Sequence, residues 1–172
     1  GGSIDNRCRL VLEITEAIAA VWRANRVGIR LSPYGIANDS GEDNPMPLYT
    51  HLIKELDKLG LAYLHLIEPR ASGAGQREVD HKNVPSAAEL FRPMWHGVLI
   101  AAGNFQGENA NAMLVNGNAD AIAFGRFFIS NPDLPERLRM GVKLTPYNRA
   151  TFYGGGAEGY LDYPTMGQTA KD

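Results

Sequence analysis

Four short apolar runs recur along the chain, at residues 27–31, 61–67, 98–102 and 121–124. Each run is continuous rather than alternating, which predicts parallel strands that are covered on both faces. Parallel strands need long crossover connections, usually helical. The pattern therefore predicts an α/β fold, either a doubly wound open sheet or a βα-barrel. No G-x-G-x-x-G turn follows any of the four runs, which lowers the odds of a dinucleotide-binding sheet.

The segments between these runs predict helices. Ser86 and Glu89 have the spacing of a capping box for the third helix, and Gly60 closes the second. Residues 70–84 are rich in glycine, serine and charge and predict a long loop. Apolar residues at helical spacing predict helices over 10–22, 48–59, 86–94, 109–115 and 134–140, before an irregular tail.

Charge and composition exclude several function classes. Seventeen basic against nineteen acidic residues give a net charge of −2, so we expect no nucleic-acid partner and no anionic membrane partner. Cys8 is the only cysteine, which rules out an internal disulfide and a thiolate metal cluster and favours a cytoplasmic location. We expect no metal site, because four histidines without metal-ligand spacing are the remaining candidates: His51, His65, His81 and His96.

Two neighbouring strand ends predict a phosphate site. Gly103 and Asn104 follow the third run, and Gly125 and Arg126 follow the fourth. Glycine lets a backbone N–H approach an anion closely, and a guanidinium matches the geometry of phosphate oxygens. In βα-barrels, consecutive strand ends of this kind form the usual phosphate site. Taken singly, either glycine could simply make a tight turn.

Arg30 interrupts the first apolar run. A guanidinium buried in such a strand needs an anion or other acceptors, so we expect it to face a ligand or to form an ion pair with another strand. In the tail, Tyr153 precedes three consecutive glycines. That segment is either a lid carrying an aromatic side chain or a disordered terminus, and the residues leave both open.

Six ordered segments resemble the old yellow enzymes, a family of FMN-dependent ene-reductases. The likeness is nearest to bacterial alkene and N-ethylmaleimide reductases and plant 12-oxophytodienoate reductases, and it covers nearly the whole chain. The matching segments are residues 1–7, 28–33, 103–104, 124–126, 131–134 and 153–160.

The resemblance implies a (β/α)8 barrel, of which this chain carries strands five to eight. Residues 1–172 would then be the C-terminal half of one FMN-binding domain, with 141–172 as the tail and active-site loop. Gly1 to Ser3 would be native sequence. The other half-barrel would be a necessary partner, and the chain alone would be an incomplete enzyme.

The resemblance also implies roles for particular residues. Arg30 would contact the N1/O2 edge of the flavin, and Tyr153 would line the substrate pocket. No catalytic residue is expected in this segment, since the carbonyl-binding pair and the tyrosine proton donor belong to the other half. The residues that would hold the FMN phosphate are Gly103, Asn104, Gly125 and Arg126.

The implied reaction is reduction of the activated C=C bond of an α,β-unsaturated carbonyl compound by NAD(P)H. One departure from some relatives is Arg70-Ala71-Ser72, where an aromatic residue is found in those proteins. The residues alone are also compatible with another phosphate-binding βα-barrel enzyme, or with a non-catalytic half-barrel.

Overall fold

A computed structural model describes residues 1–35, 41–69 and 85–168, and within them four parallel strands form one sheet. The strand order follows the chain, without the reversal that marks a doubly wound sheet. This order favours the barrel over the open sheet. The strands are β1 (Gly28–Leu31), β2 (Tyr63–Ile67), β3 (Leu99–Ala102) and β4 (Ala121–Ala123).

The five predicted helices are all present, and one more was not predicted. The additional helix, α5 (Arg126–Ser130), has five residues, too few to show a helical period in the sequence. The predicted helix over 86–94 becomes 3-10 after Phe91, because Pro93 has no N–H for the next helical bond. The helices are α1 (Ile4–Trp22), α2 (Pro45–Asp57), α3 (Ala87–Phe91), α4 (Gly107–Val115), α5 (Arg126–Ser130) and α6 (Leu134–Met140), with 3-10 turns at Ala24–Arg26, Arg92–Met94 and Arg149–Thr151.

One face of the sheet forms the core. Leu64 and Leu66 of β2 and Leu99 of β3 are fully buried, and α2 and α3 contribute Ile53 and Phe91 to the same cluster. Each of these side chains contributes about 1.5–3 kcal/mol by leaving water. This face fixes the register of the strands, since a one-residue slip would turn the leucines away from the helices.

The opposite face of the sheet is open, which corrects the expectation that both faces are covered. In-register residues of parallel strands point to the same face, so Arg30, His65 and Ile100 lie side by side on it. Arg30 is exposed rather than buried, because the described helices cover only the other face. At the edge of this open face, the Tyr63 ring lies over Gly28, where any side chain would collide with it.

A buried carboxylate connects β2 to α3. Glu68 accepts hydrogen bonds from the Ser86 hydroxyl at 2.9 Å and from the N–H groups of Ala87 at 2.9 Å and Ala88 at 3.1 Å. Ser86 in turn accepts from the N–H of Glu89 at 3.3 Å, so the serine of the predicted capping box does cap the helix. The negative charge of Glu68 thus lies where the helix dipole favours it.

The helices within the described ranges include none that is both long and apolar enough to span a lipid bilayer.

The open face predicts how residues 1–172 behave when expressed alone. The described sheet has two unpaired edges, β1 and β4, and an uncovered face that includes Tyr63. Because such edges and faces are association sites, we expect oligomers or aggregates rather than a monomer. Light scattering after size-exclusion chromatography measures the mass. A monodisperse monomer that retains FMN and reduces cyclohexenone would contradict this expectation.

Candidate functional site

The carboxyl ends of β3 and β4 are neighbours. Ala102 pairs with Ala123 in the parallel register, so the residues that follow each strand leave the sheet at the same edge. The structure therefore brings the segment Gly103-Asn104 beside the segment Gly125-Arg126. This juxtaposition is what the sequence predicted for a phosphate site.

The backbone turns sharply at the end of β3. Gly103 has a φ of +126° and Asn104 a φ of +52°, two consecutive residues with positive φ. Glycine adopts such a conformation without strain, and asparagine is among the few other residues found in it. Phe105 is then buried, which anchors the loop before α4 begins. The burial of Phe105 thus fixes the conformation of the turn.

Gly125 faces open space. A Cβ built on it would meet no heavy atom within 4 Å, so packing does not explain why glycine is there. The next residue, Arg126, is partly buried and directs its Nη1 to the hydroxyl of Tyr147 at 3.1 Å. Its guanidinium carbon lies 5.6 Å from the centre of the Tyr147 ring. Arg126 is therefore a positioned cation rather than a solvated surface charge.

Arg30 and His65 form a second polar pair, on the open face. No ion pair between Arg30 and a carboxylate occurs among the described residues, which removes the structural ion pair as its explanation there. The Nε2 atom of His65 is inaccessible to solvent and has no hydrogen-bond partner among the described residues. Burial, and secondarily the charge of Arg30, lower the pKa of His65 below 6.5. The imidazole is therefore neutral at neutral pH, which limits repulsion of the neighbouring guanidinium.

The two groups of residues lie at separate points of the same half-barrel mouth. Arg30 is two strands from β3, a distance of roughly 10 Å at the usual inter-strand spacing. It is level with Ile100, three residues before Gly103. An elongated ligand with a phosphate at one end and an electron-rich group at the other matches this separation.

Tyr153 lies in the tail and is 82% exposed. The glycine-rich segment after it bends tightly, since Gly159 has a φ of +68° and a Cβ built on it would collide with Thr151. The tail is connected to residues 131–137 through Thr145, Pro164 and Met166, and its role as a lid stays a prediction. The role of Tyr153 in binding substrate stays a prediction.

Sequence reasoning missed the polar cluster that fixes this tail. Asn131, Asp133 and Arg137 at the start of α6 bind backbone groups of the tail through their side chains. The sequence offered one signal, the segment 131–134, but only as a point of family likeness. Nothing in the spacing of these residues indicates that a segment up to 33 positions away completes the cluster.

Two earlier expectations concern metals and pocket walls. Across the described ranges, no three His, Cys, Asp or Glu side chains are grouped so that they could hold a metal ion. The departure at Arg70-Ala71-Ser72 lies outside the described residues, as does His81.

Comparison with known sequences identifies relatives over nearly the whole chain. The protein named 12-oxophytodienoate reductase 2 from Arabidopsis thaliana is 40% identical over 171 residues, which are 99% of this chain and 45% of that protein. Flavin oxidoreductase hxnT of Emericella nidulans is 44% identical over 180 residues, 95% of this chain and 46% of its own length. The chain thus spans less than half the length of the curated relatives it matches.

Solved structures of other proteins also align with nearly the whole chain. Morphinone reductase in complex with tetrahydroNAD aligns with a TM-score of 0.80 and 44% identity over 96% of this chain and 43% of its own. The old yellow enzyme from Trypanosoma cruzi aligns with a TM-score of 0.83 and 34% identity over 95% and 41%. The predicted fold is confirmed: the four-stranded parallel sheet is half of a (β/α)8 barrel.

A sequence profile of the NADH:flavin oxidoreductase / NADH oxidase family matches residues 1–145. That match covers most of the chain and includes both strand ends and Arg30. The resemblance to old yellow enzymes drawn from six short segments is therefore confirmed over the whole fold. The chain belongs to the NADH:flavin oxidoreductase / NADH oxidase family.

Proposed function

We propose that this chain is the flavin-binding half of an FMN-dependent ene-reductase. The reaction is the reduction of an activated C=C bond, in an enone, enal, maleimide or nitroalkene, at the expense of NADH or NADPH. One observation carries the proposal: two adjacent strand ends present Gly103-Asn104 and Gly125-Arg126 beside a face that bears a second cation, Arg30. Family membership and the relatives' flavin chemistry support it.

The residues present fit FMN. The open space in front of Gly125 leaves room for a phosphate at the end of β4, and the partly buried Arg126 supplies charge-assisted donors beside it. Arg30 is exposed on the face where an electron-rich ring system could lie, and the neutral His65 adds no competing charge. A monophosphate with a flat, electron-rich head accounts for both cations at once.

The residues of the site have three tasks in this proposal. Gly103, Asn104, Gly125 and Arg126 hold the phosphate and so orient the ligand along the barrel mouth. Arg30 stabilises negative charge at the N1/O2 edge of the ring. When bound, FMN supplies the two-electron chemistry that links the nicotinamide to the alkene. Tyr153 closes one side of the substrate pocket, and the remaining substrate contacts come from the other half of the barrel.

One assay distinguishes the proposed ene-reductase from two alternative functions. Another phosphate-binding barrel enzyme would use the same strand ends, but it gives no reason for Arg30 and Tyr153 together. A non-catalytic half-barrel would need neither flavin nor turnover. The test is flavin content and cyclohexenone reduction by the complete protein that contains this chain. A colourless protein that is inactive with added FMN would refute the proposal.

A cytoplasmic location stays a prediction that rests on the single cysteine.

The phosphate assignment predicts the effect of Arg126→Ala. Removing a charge-assisted contact worth roughly 1.5–3 kcal/mol should weaken FMN binding about ten- to a hundredfold. Riboflavin, which lacks the phosphate, is the matched ligand and should bind the variant as well as the wild type. Fluorescence titration of the apoprotein measures both affinities. Unchanged FMN affinity would show that Arg126 is not a phosphate ligand.

Arg30 should tune the flavin as well as bind it. In Arg30→Met the reduced, anionic ring loses a charge-assisted contact, which lowers the two-electron reduction potential by about 30–60 mV. Arg30→Lys retains the charge and should recover most of that loss. Spectroelectrochemical titration measures the potentials. Equal potentials in the wild type and Arg30→Met would exclude this role.

Tyr153 should affect substrate selection without affecting the cofactor. Tyr153→Ala should change the Michaelis constant for bulky enones about three- to tenfold, as expected for loss of roughly 1 kcal/mol of contact. FMN content should stay the same. Tyr160→Ala is the matched control, since Tyr160 is similarly exposed in the same loop. If both variants behave alike, or if FMN is lost, Tyr153 has no specific place in the pocket.

A further inference from the structure

The tail is tied at two points to one buried polar cluster. Asn131 is fully buried, and its side chain brackets the backbone of Thr145, accepting from the N–H at 2.8 Å and donating to the carbonyl at 3.1 Å. Two residues later, Asp133 accepts from the N–H of Met166 at 2.6 Å. Residues 145–166 therefore form a loop whose two ends meet at the junction of α5 and α6.

Arg137 joins the two ends of this loop. Its Nε donates to Asp133 at 2.7 Å, Nη1 donates to the Thr145 hydroxyl at 3.3 Å, and Nη2 donates to the carbonyl of Pro164 at 3.2 Å. Hydrogen bonding by the Met166 N–H, and then by Arg137, lowers the pKa of Asp133, so its carboxylate stays charged near neutral pH. Because Arg137 is only 8% exposed, loss of its partner would leave a buried charge unpaired.

Within this loop, Tyr147 contacts the proposed phosphate site. Its hydroxyl accepts from Nη1 of Arg126 at 3.1 Å, and its ring lies under the guanidinium. Aromatic contacts hold the ring from two further directions, Phe127 at 5.2 Å and Phe152 at 5.5 Å between ring centroids. The position of Tyr147 is thus fixed by the loop, and the position of the Arg126 guanidinium is fixed in part by Tyr147.

We propose that Tyr147 is a positioning residue for the phosphate site, an inference that rests on the proposed FMN function. A mobile arginine side chain loses much conformational entropy when it binds a ligand, and a guanidinium that is already held in place loses less. Tyr147 holds Arg126 in place before the phosphate arrives. By reciprocity of linked equilibria, FMN that binds through Arg126 stabilises the loop 145–166.

The first test is Tyr147→Phe in the complete protein, prepared without flavin and titrated with FMN. The variant keeps the aromatic packing and loses only the hydroxyl. FMN affinity should fall about three- to tenfold, while riboflavin affinity stays unchanged. Tyr163→Phe is the control, because its hydroxyl accepts from the N–H of Asn148 in the same loop but is not bonded to Arg126. That variant should keep wild-type FMN affinity.

A double-mutant cycle distinguishes failure of this inference from failure of the proposed function. If Tyr147 acts through Arg126, then Tyr147→Phe has no further effect on FMN affinity in an Arg126→Ala background. Additive effects would overturn the inference and leave the phosphate role of Arg126 intact. An Arg126→Ala variant with wild-type FMN affinity would overturn both.

The linkage has a readout that does not depend on affinity or activity. Limited proteolysis of the wild type should cleave within residues 145–166 more slowly with saturating FMN than with saturating riboflavin. In Tyr147→Phe the difference in protection between the two flavins should shrink, since the hydrogen bond from Arg126 is lost and only the ring contact still links it to the loop. Equal protection by both flavins in the wild type would refute the linkage.

Discussion

One-sided burial of the sheet is the constraint on which the rest of the structure depends. The leucines of β2 and β3 bury their side chains against α2 and α3, and this packing sets the strand register. Because side chains alternate between faces, the same register turns Arg30 and His65 to the opposite, open side. It also brings the ends of β3 and β4 to one edge. Packing on one face thus determines where the proposed ligand-binding residues lie.

The sequence was sufficient to predict the four strands, five of the helices and the two strand ends, but not the exposure of each face. Continuous apolar runs such as 98–102 identify strands, and sequential strand ends at Gly103 and Gly125 identify the edge at which they meet. Periodicity cannot reveal that the described helices cover only one face of those runs. For that reason Arg30 was expected to be buried and is exposed. The five-residue α5 was missed because its apolar residues show no period.

The polar cluster of the tail shows a second limit of sequence reading. Asn131 and Asp133 have backbone partners at Thr145 and Met166, and a backbone N–H or carbonyl is present at every position whatever its side chain. The residue types at positions 145 and 166 therefore do not predict these contacts. Contacts between side chains and distant backbone are determined by the folded path of the chain, which only the structure supplies.

Arg137, Arg126 and Arg30 differ in the partners that surround their charges. Arg137 is buried and forms an ion pair with Asp133, so its charge is neutralised within the fold. Arg126 donates to the neutral hydroxyl of Tyr147 and lies over its ring, and these two contacts orient the guanidinium. Arg30 has the neutral His65 beside it in register. A cation oriented by neutral partners keeps its full attraction for an anion, whereas a carboxylate partner would have to be displaced or outcompeted. The pairing of Arg137 therefore fixes the loop, so that the hydroxyl of Tyr147 can orient Arg126 at the strand ends.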